Sequence, residues 1–214
     1  MSVTGVVTAA TILATATALS CTAMPTAAAA DSCPSIEVVF ARGTDEPPGI
    51  GRVGQALVDS LRPMVKGKTV RAYAVQYPAS WDFLGVADGA KDATAHVQDV
   101  VANCPSTKIV LGGYSQGAAV IDGITAPAIA GVAITAQMPT SVSEHVAAVT
   151  VFGNPSARLG QPLTILSPLY GARTADLCNT NDPICSLGKD FNSHVHYPES
   201  GLVKVAAQWV TKHV

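Results

Sequence analysis

The chain has 214 residues, of which 48% are hydrophobic and 13% charged, and its formal net charge at pH 7 is -2. A chain of this length and apolar content can bury a substantial core, which excludes intrinsic disorder and favours one globular domain. The near-neutral charge leaves no basic excess to hold nucleic acid or an anionic membrane, so neither is expected as a partner.

The N-terminal segment differs in composition from the rest of the chain. Residues 1–30 contain no Asp, Glu, Lys, Arg or His, and they end in consecutive alanines. An apolar run followed by small residues is typical of a secretory signal peptide, although the usual positively charged start is missing. The run from Val3 to Leu19 is too short and too interrupted to predict a membrane span. We therefore predict a signal peptide at residues 1–30, a mature domain at residues 31–214 and a secreted, extracellular protein.

Cleavage would remove Cys21 and leave an even number of cysteines in the mature chain. Lipoprotein processing at Cys21 is an alternative, but the residues before it match a lipidation signal poorly. Even cysteines in an exported protein predict disulfides, and the close spacing of Cys178 and Cys185 favours a local loop, which would leave Cys33 to pair with Cys104. A metal site is the alternative; because paired C-x-x-C spacing is absent, we expect no metal.

Predicted strands and helices alternate along the mature chain. The first elements in order are a strand at 35–41, a helix at 53–64, a strand at 70–77, a helix at 90–101 and a strand at 108–111. A helix after Ser115, strands at 146–152 and 173–177, and a C-terminal helix from Gly201 continue the pattern. This alternation predicts a single-domain α/β fold, a three-layer sandwich with a central, mainly parallel sheet.

A G-x-S-x-G pattern at residues 113–117 follows the predicted strand at 108–111 and precedes a predicted helix. In a nucleophile elbow, the serine lies on such a strand-to-helix turn, and small flanking residues prevent clashes. The backbone N–H of Gln116, the residue after Ser115, is then one expected donor to an oxyanion. The five-residue pattern alone also fits a glycine-rich strand end with an incidental serine.

A serine nucleophile needs a histidine base and an orienting acid, which α/β-hydrolases place in the chain order Ser, Asp, His. The aspartates downstream of Ser115 are Asp122, Asp176, Asp182 and Asp190. Two cysteines bracket Asp182 and Pro183 restricts its backbone, although a plain turn residue fits the same segment. His194 and His196 are both plausible bases, and at most one of them can face Ser115 if the segment is extended.

Together these features resemble the cutinase family, which consists of small secreted serine esterases, and more closely its bacterial cutinase-like branch. The resemblance covers nearly the whole mature chain. It rests on four segments: Phe-Ala-Arg-Gly-Thr at 40–44, Gly-Tyr-Ser-Gln-Gly at 113–117, the cysteine-bracketed Asp182-Pro183, and the His-x-x-Tyr pattern at 194–197.

The resemblance implies an α/β-hydrolase-like fold and a role for each matched residue. It implies Ser115 as nucleophile, Asp182 as orienting acid and His194, rather than His196, as base. It also implies Thr44 as the second oxyanion donor, beside Gln116. The same two disulfides, Cys33 with Cys104 and Cys178 with Cys185, are implied as well.

Several residues near these motifs bear on the substrate. Asp45 and Glu46 follow Thr44, and we expect both to face solvent, since inward anions would oppose a developing oxyanion. The loop at 78–84 contains Trp81 and Phe83, which fit either core packing or a hydrophobic rim for acyl chains. His196 is a second candidate for the rim.

The expected function is hydrolysis of carboxylic esters, such as cutin-like polyesters, acyl esters or lipids, through an acyl-enzyme. No metal or organic cofactor is expected, and the chain is expected to be a monomer. Acyl transfer to an alcohol is the alternative reaction. A non-catalytic secreted protein that binds lipid or a partner is the alternative from a different class.

Overall fold

A parallel β-sheet lies at the centre of the molecule, and its strands are ordered β2-β1-β3-β4-β5 across the described residues. Neighbouring strands are parallel throughout. The strands are β1 Ile36–Ala41, β2 Val70–Ala74, β3 Lys108–Tyr114, β4 Val146–Phe152 and β5 Thr174–Leu177. Valine, isoleucine and alanine dominate these strands because a parallel sheet is covered on both faces.

The structure is a computed structural model that describes residues 1–3, 5, 33–126 and 137–214. The predicted signal peptide at residues 1–30 therefore lies almost wholly outside the described residues. The helices and strands of the described residues all belong to one compact unit, Cys33–Val214. No helix in the described part of the chain is long and apolar enough to cross a membrane.

Helices connect the strands and cover both faces of the sheet. The longer helices are α1 Gly51–Leu61, α2 Gly85–Asn103, α3 Gln116–Thr125 and α7 Leu202–Thr211. Three short helices, α4 Pro155–Arg158, α5 Leu163–Leu166 and α6 Phe191–Val195, follow β4 and β5. One 3-10 helix precedes β4, at Thr140–His145, and another precedes β5, at Gly171–Arg173.

The alternating side chains of β1 show how the layers form. Val38 and Phe40 pack into one apolar cluster with α1 and α7, whereas Val39 and Ala41 pack into the cluster formed with α2 and α3. Successive side chains of a strand point to opposite faces, so each face of this strand serves a different core. The predicted three-layer sandwich with a parallel sheet is confirmed.

Most predicted elements are present, with shifted ends. The third strand continues to Tyr114, past the predicted end at 111, and the second stops at Ala74, short of 77. The short helices α4, α5 and α6 were not predicted. Each has only four or five residues, too few for a helical repeat of apolar positions to be recognisable in the sequence.

Both predicted disulfides are present. Cys33 is bonded to Cys104, which ties the segment before β1 to the C-terminal end of α2. Cys178 is bonded to Cys185, which closes a short loop directly after β5. Because all five strands run the same way, Thr44, Ser115 and this loop, which follow β1, β3 and β5, lie at the carboxyl edge of the sheet.

Candidate active site

Ser115 occupies a strained turn between β3 and α3. Its backbone has φ 56° and ψ -118°, a region that residues other than glycine rarely adopt. The Ser115 N–H donates to the carbonyl of Phe152 at 2.9 Å, which anchors the turn to the end of β4. This is the geometry of a nucleophile elbow, which holds the hydroxyl above the sheet edge.

The two glycines of the motif make that turn possible. A Cβ atom on Gly113 would lie 2.2 Å from the carbonyl oxygen of Gly117. A Cβ atom on Gly117 would lie 2.0 Å from the carbonyl oxygen of Ala41. Both distances are far below van der Waals contact with backbone atoms that cannot move aside, so only glycine fits at either position.

His194 connects Ser115 to Asp182. Its Nε2 lies 2.9 Å from Ser115 Oγ, and its Nδ1 lies 2.9 Å from Asp182 Oδ2. His194 is 4% exposed and Asp182 is fully buried. A carboxylate that accepts from Nδ1–H leaves Nε2 as an acceptor for the serine proton, which is the tautomer that a general base requires.

Asp182 lies in the disulfide loop and is held by donors from inside and outside that loop. The N–H of Ile184 donates to Oδ1 at 2.7 Å, and the hydroxyl of Tyr197 donates to Oδ2 at 2.7 Å. Burial alone would raise the pKa of Asp182, but the hydrogen bonds from His194, Tyr197 and Ile184 outweigh it and lower the pKa. Asp182 is therefore ionised at neutral pH.

The same loop bears on the metal alternative. The sulfur atoms of Cys178 and Cys185 and a carboxylate oxygen of Asp182 lie close enough together to suggest a metal-binding group. The two sulfurs are bonded to each other, however, and a disulfide has no thiolate to offer a metal ion.

His194 lies on the short helix α6, which was not predicted from the sequence. The side chain of Asp190 caps this helix by accepting from the N–H of Asn192 at 3.0 Å. The hydroxyl of Tyr114 donates to the carbonyl of His194 at 2.8 Å, and the two rings stack with centroids 5.0 Å apart. The imidazole is thus held by its helix, by the strand that leads to Ser115 and by Asp182.

The other three candidate aspartates lie elsewhere in the structure. Asp122 and Asp176 both accept from the side-chain amide of Asn154, at 3.1 Å each, in a separate buried group. Asp190 is the cap of α6. Of the four aspartates, Asp182 is the one that the structure brings to the histidine.

His196 does not line the cavity that contains Ser115. It is exposed, its Nδ1 lies 2.7 Å from the carbonyl of Asn192, and it borders a separate open cleft with Cys178 and Glu199. The expectation that His196 contributes to the rim was wrong. Residues two positions apart on a helix point in roughly opposite directions, so His194 faces inward and His196 faces outward.

The two predicted oxyanion donors, Thr44 and Gln116, both lie near Ser115. Thr44 lines the same cavity as Ser115. The side chain of Gln116 is fully buried and donates to the carbonyl of Ser80 at 2.7 Å, so the residue is available to a substrate only through its backbone. Gln116 is the first residue of α3, and its N–H therefore has no acceptor within the helix.

The two acidic residues after Thr44 both accept hydrogen bonds from the protein, although both were predicted to face solvent. Glu46 is half-buried rather than fully exposed: its carboxylate accepts from the N–H groups of Gly43 at 2.7 Å and Arg52 at 2.8 Å. Asp45 is exposed as expected, and its carboxylate accepts from the indole N–H of Trp81. Both carboxylates are thus occupied by donors of the protein.

Apolar side chains surround the opening beside Ser115. The cavity has a volume of about 540 Å³, and its walls include Trp81, Phe83, Leu159 and Phe191. Trp81 is 72% exposed and Phe83 53% exposed, which excludes the alternative that this loop packs its aromatic residues into the core. The rim of the cavity is therefore hydrophobic.

Some residues of the site carried no recognisable signal in the sequence. Arg158 lines the cavity and its guanidinium donates to the carbonyls of Pro183 and Ser186. It therefore joins α4 to the acid loop, residues 178–186, which contains Asp182. Tyr197 belongs to the His-x-x-Tyr pattern, which does not indicate that its hydroxyl reaches Asp182. These contacts join segments that are remote in the chain, and local spacing cannot reveal such pairs.

The parallel sheet, the serine elbow and the cavity at the carboxyl edge define an α/β-hydrolase-like protein. The chain belongs to the cutinase family: a family model described as Cutinase matches residues 32–214.

Named relatives agree with this assignment. Phospholipase Culp4 of Mycobacterium tuberculosis is 49% identical over 186 residues, which cover 87% of this chain and 81% of the relative. Carboxylesterase Culp1 of Mycobacterium bovis is 46% identical over 195 residues, which cover 88% of this chain and 85% of the relative. The solved structure of Trichoderma reesei cutinase in complex with a C11Y4 phosphonate inhibitor is 31% identical, with a TM-score of 0.67 and coverage of 84% of this chain and 76% of that one. The chain is accordingly a carboxylic ester hydrolase.

Proposed function

We propose that this protein is a secreted serine esterase in which Ser115, His194 and Asp182 form the catalytic triad. One observation carries the proposal: two 2.9 Å hydrogen bonds run from Ser115 Oγ through the imidazole of His194 to Asp182, beside an apolar cavity. Serine needs such a base because its hydroxyl is a weak nucleophile.

In the proposed reaction, His194 Nε2 takes the Ser115 proton as Oγ attacks the ester carbonyl. The buried carboxylate of Asp182 stabilises the imidazolium that forms. The N–H of Gln116 and the backbone or hydroxyl of Thr44 would hold the oxyanion. The imidazolium then protonates the leaving alcohol, and water hydrolyses the acyl-enzyme by the same route. These steps need no metal or organic cofactor.

The cavity favours esters with apolar acyl groups. Its walls are predominantly hydrophobic, and its volume of about 540 Å³ suits a short or medium acyl chain. The names of the relatives, a phospholipase and a carboxylesterase, agree with lipid esters or simple acyl esters as substrates. We therefore propose acyl esters and lipids as the substrate class.

The test uses the mature protein with its disulfides intact and p-nitrophenyl esters of short, medium and long acyl chains. We expect hydrolysis by the wild type and a loss of at least about 10³-fold in kcat for Ser115→Ala, His194→Ala or Asp182→Asn, with unchanged circular dichroism. His196→Ala is the matched control, because this neighbouring histidine lies outside the cavity, and we expect it to retain wild-type kcat.

Three outcomes separate the proposal from its alternatives. Activity retained in Ser115→Ala would contradict the triad. A product that is mainly a new ester when an alcohol is added would indicate acyl transfer. Failure of the folded wild type to react with a phosphonate ester that labels activated serines would indicate a binding protein.

We also propose export with cleavage near residue 30. Two disulfides favour an oxidising compartment, and the composition of residues 1–30 fits a signal peptide. We expect protein recovered from the culture medium of an expressing bacterium to begin near residue 31 by N-terminal sequencing. Full-length protein confined to the cytoplasm would contradict export.

A further inference from the structure

Tyr197 lies behind the catalytic residues, in the apolar core on the α1 and α7 side of the sheet. It is fully buried, and its ring makes edge contacts with Phe152 and Tyr114, with centroids 5.8 Å and 5.7 Å apart. The ring of His194 stands perpendicular to it at 6.3 Å. These contacts hold the phenol in one orientation.

The position of the hydroxyl proton follows from its neighbours. The N–H of Asn179 lies 3.1 Å from the hydroxyl oxygen and can only donate, so the phenol oxygen accepts there. Its own proton is then available to Asp182 Oδ2 at 2.7 Å. The sulfur of Cys185, 3.4 Å away, belongs to a disulfide and is a weaker acceptor than a carboxylate.

The oxygen that receives this proton is the one that faces the base. Asp182 Oδ2 accepts from both Tyr197 and His194 Nδ1, whereas Oδ1 accepts from Ile184. A second donor on the same oxygen withdraws electron density from it and fixes its direction. A less basic carboxylate stabilises a neighbouring imidazolium less, so removal of the second donor should strengthen the pairing of Asp182 with a protonated His194.

We infer that Tyr197 is a positioning residue that holds Asp182 Oδ2 against His194 Nδ1 and tunes the pH range over which His194 acts as a base. The inference rests on the proposed function, since it acts through the triad. No step of the reaction involves proton transfer to or from Tyr197.

Other ionisable groups surround this cluster within the described residues. Arg52, on α1, donates through its guanidinium to the carbonyl of Val195, the residue after His194, and through its backbone N–H to Glu46. Tyr114, on β3, is the titratable group on the strand side, and burial raises its pKa, so it stays neutral. Arg158, on α4, reaches the outer side of the acid loop at the carbonyls of Pro183 and Ser186. Burial, followed by the bond to Asp182, raises the pKa of Tyr197, which therefore remains a donor across the working pH range.

The experiment measures kcat/KM against pH for wild type and Tyr197→Phe. Loss of the hydroxyl should make Asp182 more basic and strengthen its pairing with the imidazolium. We expect the acid limb of the profile to move to higher pH by about half a unit to one unit, and kcat at its plateau to fall about three- to tenfold.

A second variant keeps the phenol hydroxyl and should move the acid limb of the pH profile in the opposite direction. Site-specific replacement of Tyr197 by 3-fluorotyrosine makes the phenol more acidic and a stronger donor, so the acid limb should move to lower pH. This variant tests the inference even if Tyr197→Phe, which leaves the Asn179 N–H without its acceptor, folds poorly. In an Asp182→Asn background, Tyr197→Phe should shift the acid limb no further.

Tyr170→Phe is the matched control. Tyr170 is 2% exposed, and its hydroxyl has no hydrogen-bond partner among the described residues, so its loss should leave the pH profile unchanged. An unmoved acid limb in folded Tyr197→Phe, or the same direction of shift in the phenylalanine and fluorotyrosine variants, would overturn the inference. Either result leaves the proposed function intact, because that function is tested separately by Ser115→Ala, by the product formed with an added alcohol and by phosphonate labelling.

Discussion

At the scale of single residues, the buried carboxylates respond differently to their surroundings. Burial raises the pKa of each one, but for Glu37 the hydrogen bonds from His96 and Arg71 outweigh it and lower the pKa. Asp182 behaves in the same way. Asp122 does not: its burial, reinforced by the nearby charge of Asp176, raises its pKa to about 7. The number and charge of the donors therefore decide which carboxylate is ionised at neutral pH.

This difference predicts the pH dependence of stability. The ordinary pKa of Asp122 is 3.8, and the folded protein raises it to about 7, so the folded state binds this proton more tightly than the unfolded state. Its contribution to the unfolding free energy is fully present below about pH 4 and is lost as the pH rises to about 7. An asparagine at this position does not ionise, so Asp122→Asn does not lose stability in this way. We expect the unfolding free energy of the variant, relative to wild type, to increase by on the order of 2–4 kcal/mol between about pH 4 and pH 8.

Urea unfolding at several pH values measures this effect as the difference between variant and wild type. Asp59→Asn is the control for the Asp-to-Asn substitution itself, because the Asp59 carboxylate is 59% exposed. A difference between Asp122→Asn and wild type that stays constant from about pH 4 to pH 8 would show that Asp122 is ionised in the folded protein.

At the scale of elements, the acid loop is restrained by contacts at several points. The Cys178–Cys185 disulfide closes it, and Arg158 of α4 binds the carbonyls of Pro183 and Ser186 from outside. A loop that must hold one carboxylate against an imidazole needs such restraints, because loops are otherwise the more mobile parts of a protein. Catalysis should therefore depend on the closure of this loop.

We expect replacement of both Cys178 and Cys185 by alanine to reduce kcat about tenfold or more, because the restraint on Asp182 is weakened. The chain-entropy argument for a loop with a sequence separation of 7 gives a stability loss of only about 2–3 kcal/mol. Parallel kcat measurements and urea unfolding would check this. Unchanged kcat would show that the hydrogen bonds alone suffice to position Asp182.

At the scale of the whole molecule, the other disulfide provides the matched control. Cys33 and Cys104 are separated by 71 residues, so the same argument assigns them about 4 kcal/mol of stability. They lie at the amino end of β1 and the end of α2, away from the carboxyl edge that bears Ser115. We expect replacement of both by alanine to lower the unfolding free energy more than loss of the short loop, with kcat unchanged. A large fall in kcat for this variant would contradict the separation of stability from catalysis.

The residue pattern by itself was sufficient for the architecture and for the tight strand-to-helix turn that contains Ser115. Strand and helix periodicities are local, and the glycines at 113 and 117 report a close backbone approach that only one residue type permits. The disulfide pairing also followed from spacing. The choice of Asp182 and His194 over their neighbours came from the family resemblance, because neither residue carries a local signal of its role.

Tertiary structure decided the rest. Helix α6 turns His194 inward and His196 outward, Glu46 turns to the N–H groups of Gly43 and Arg52, and Tyr197 reaches the carboxylate from the core. Each of these depends on groups brought together from different segments of the chain. Hydrogen bonds of this kind are set by distance and direction in space, which the periodicity of a sequence does not encode.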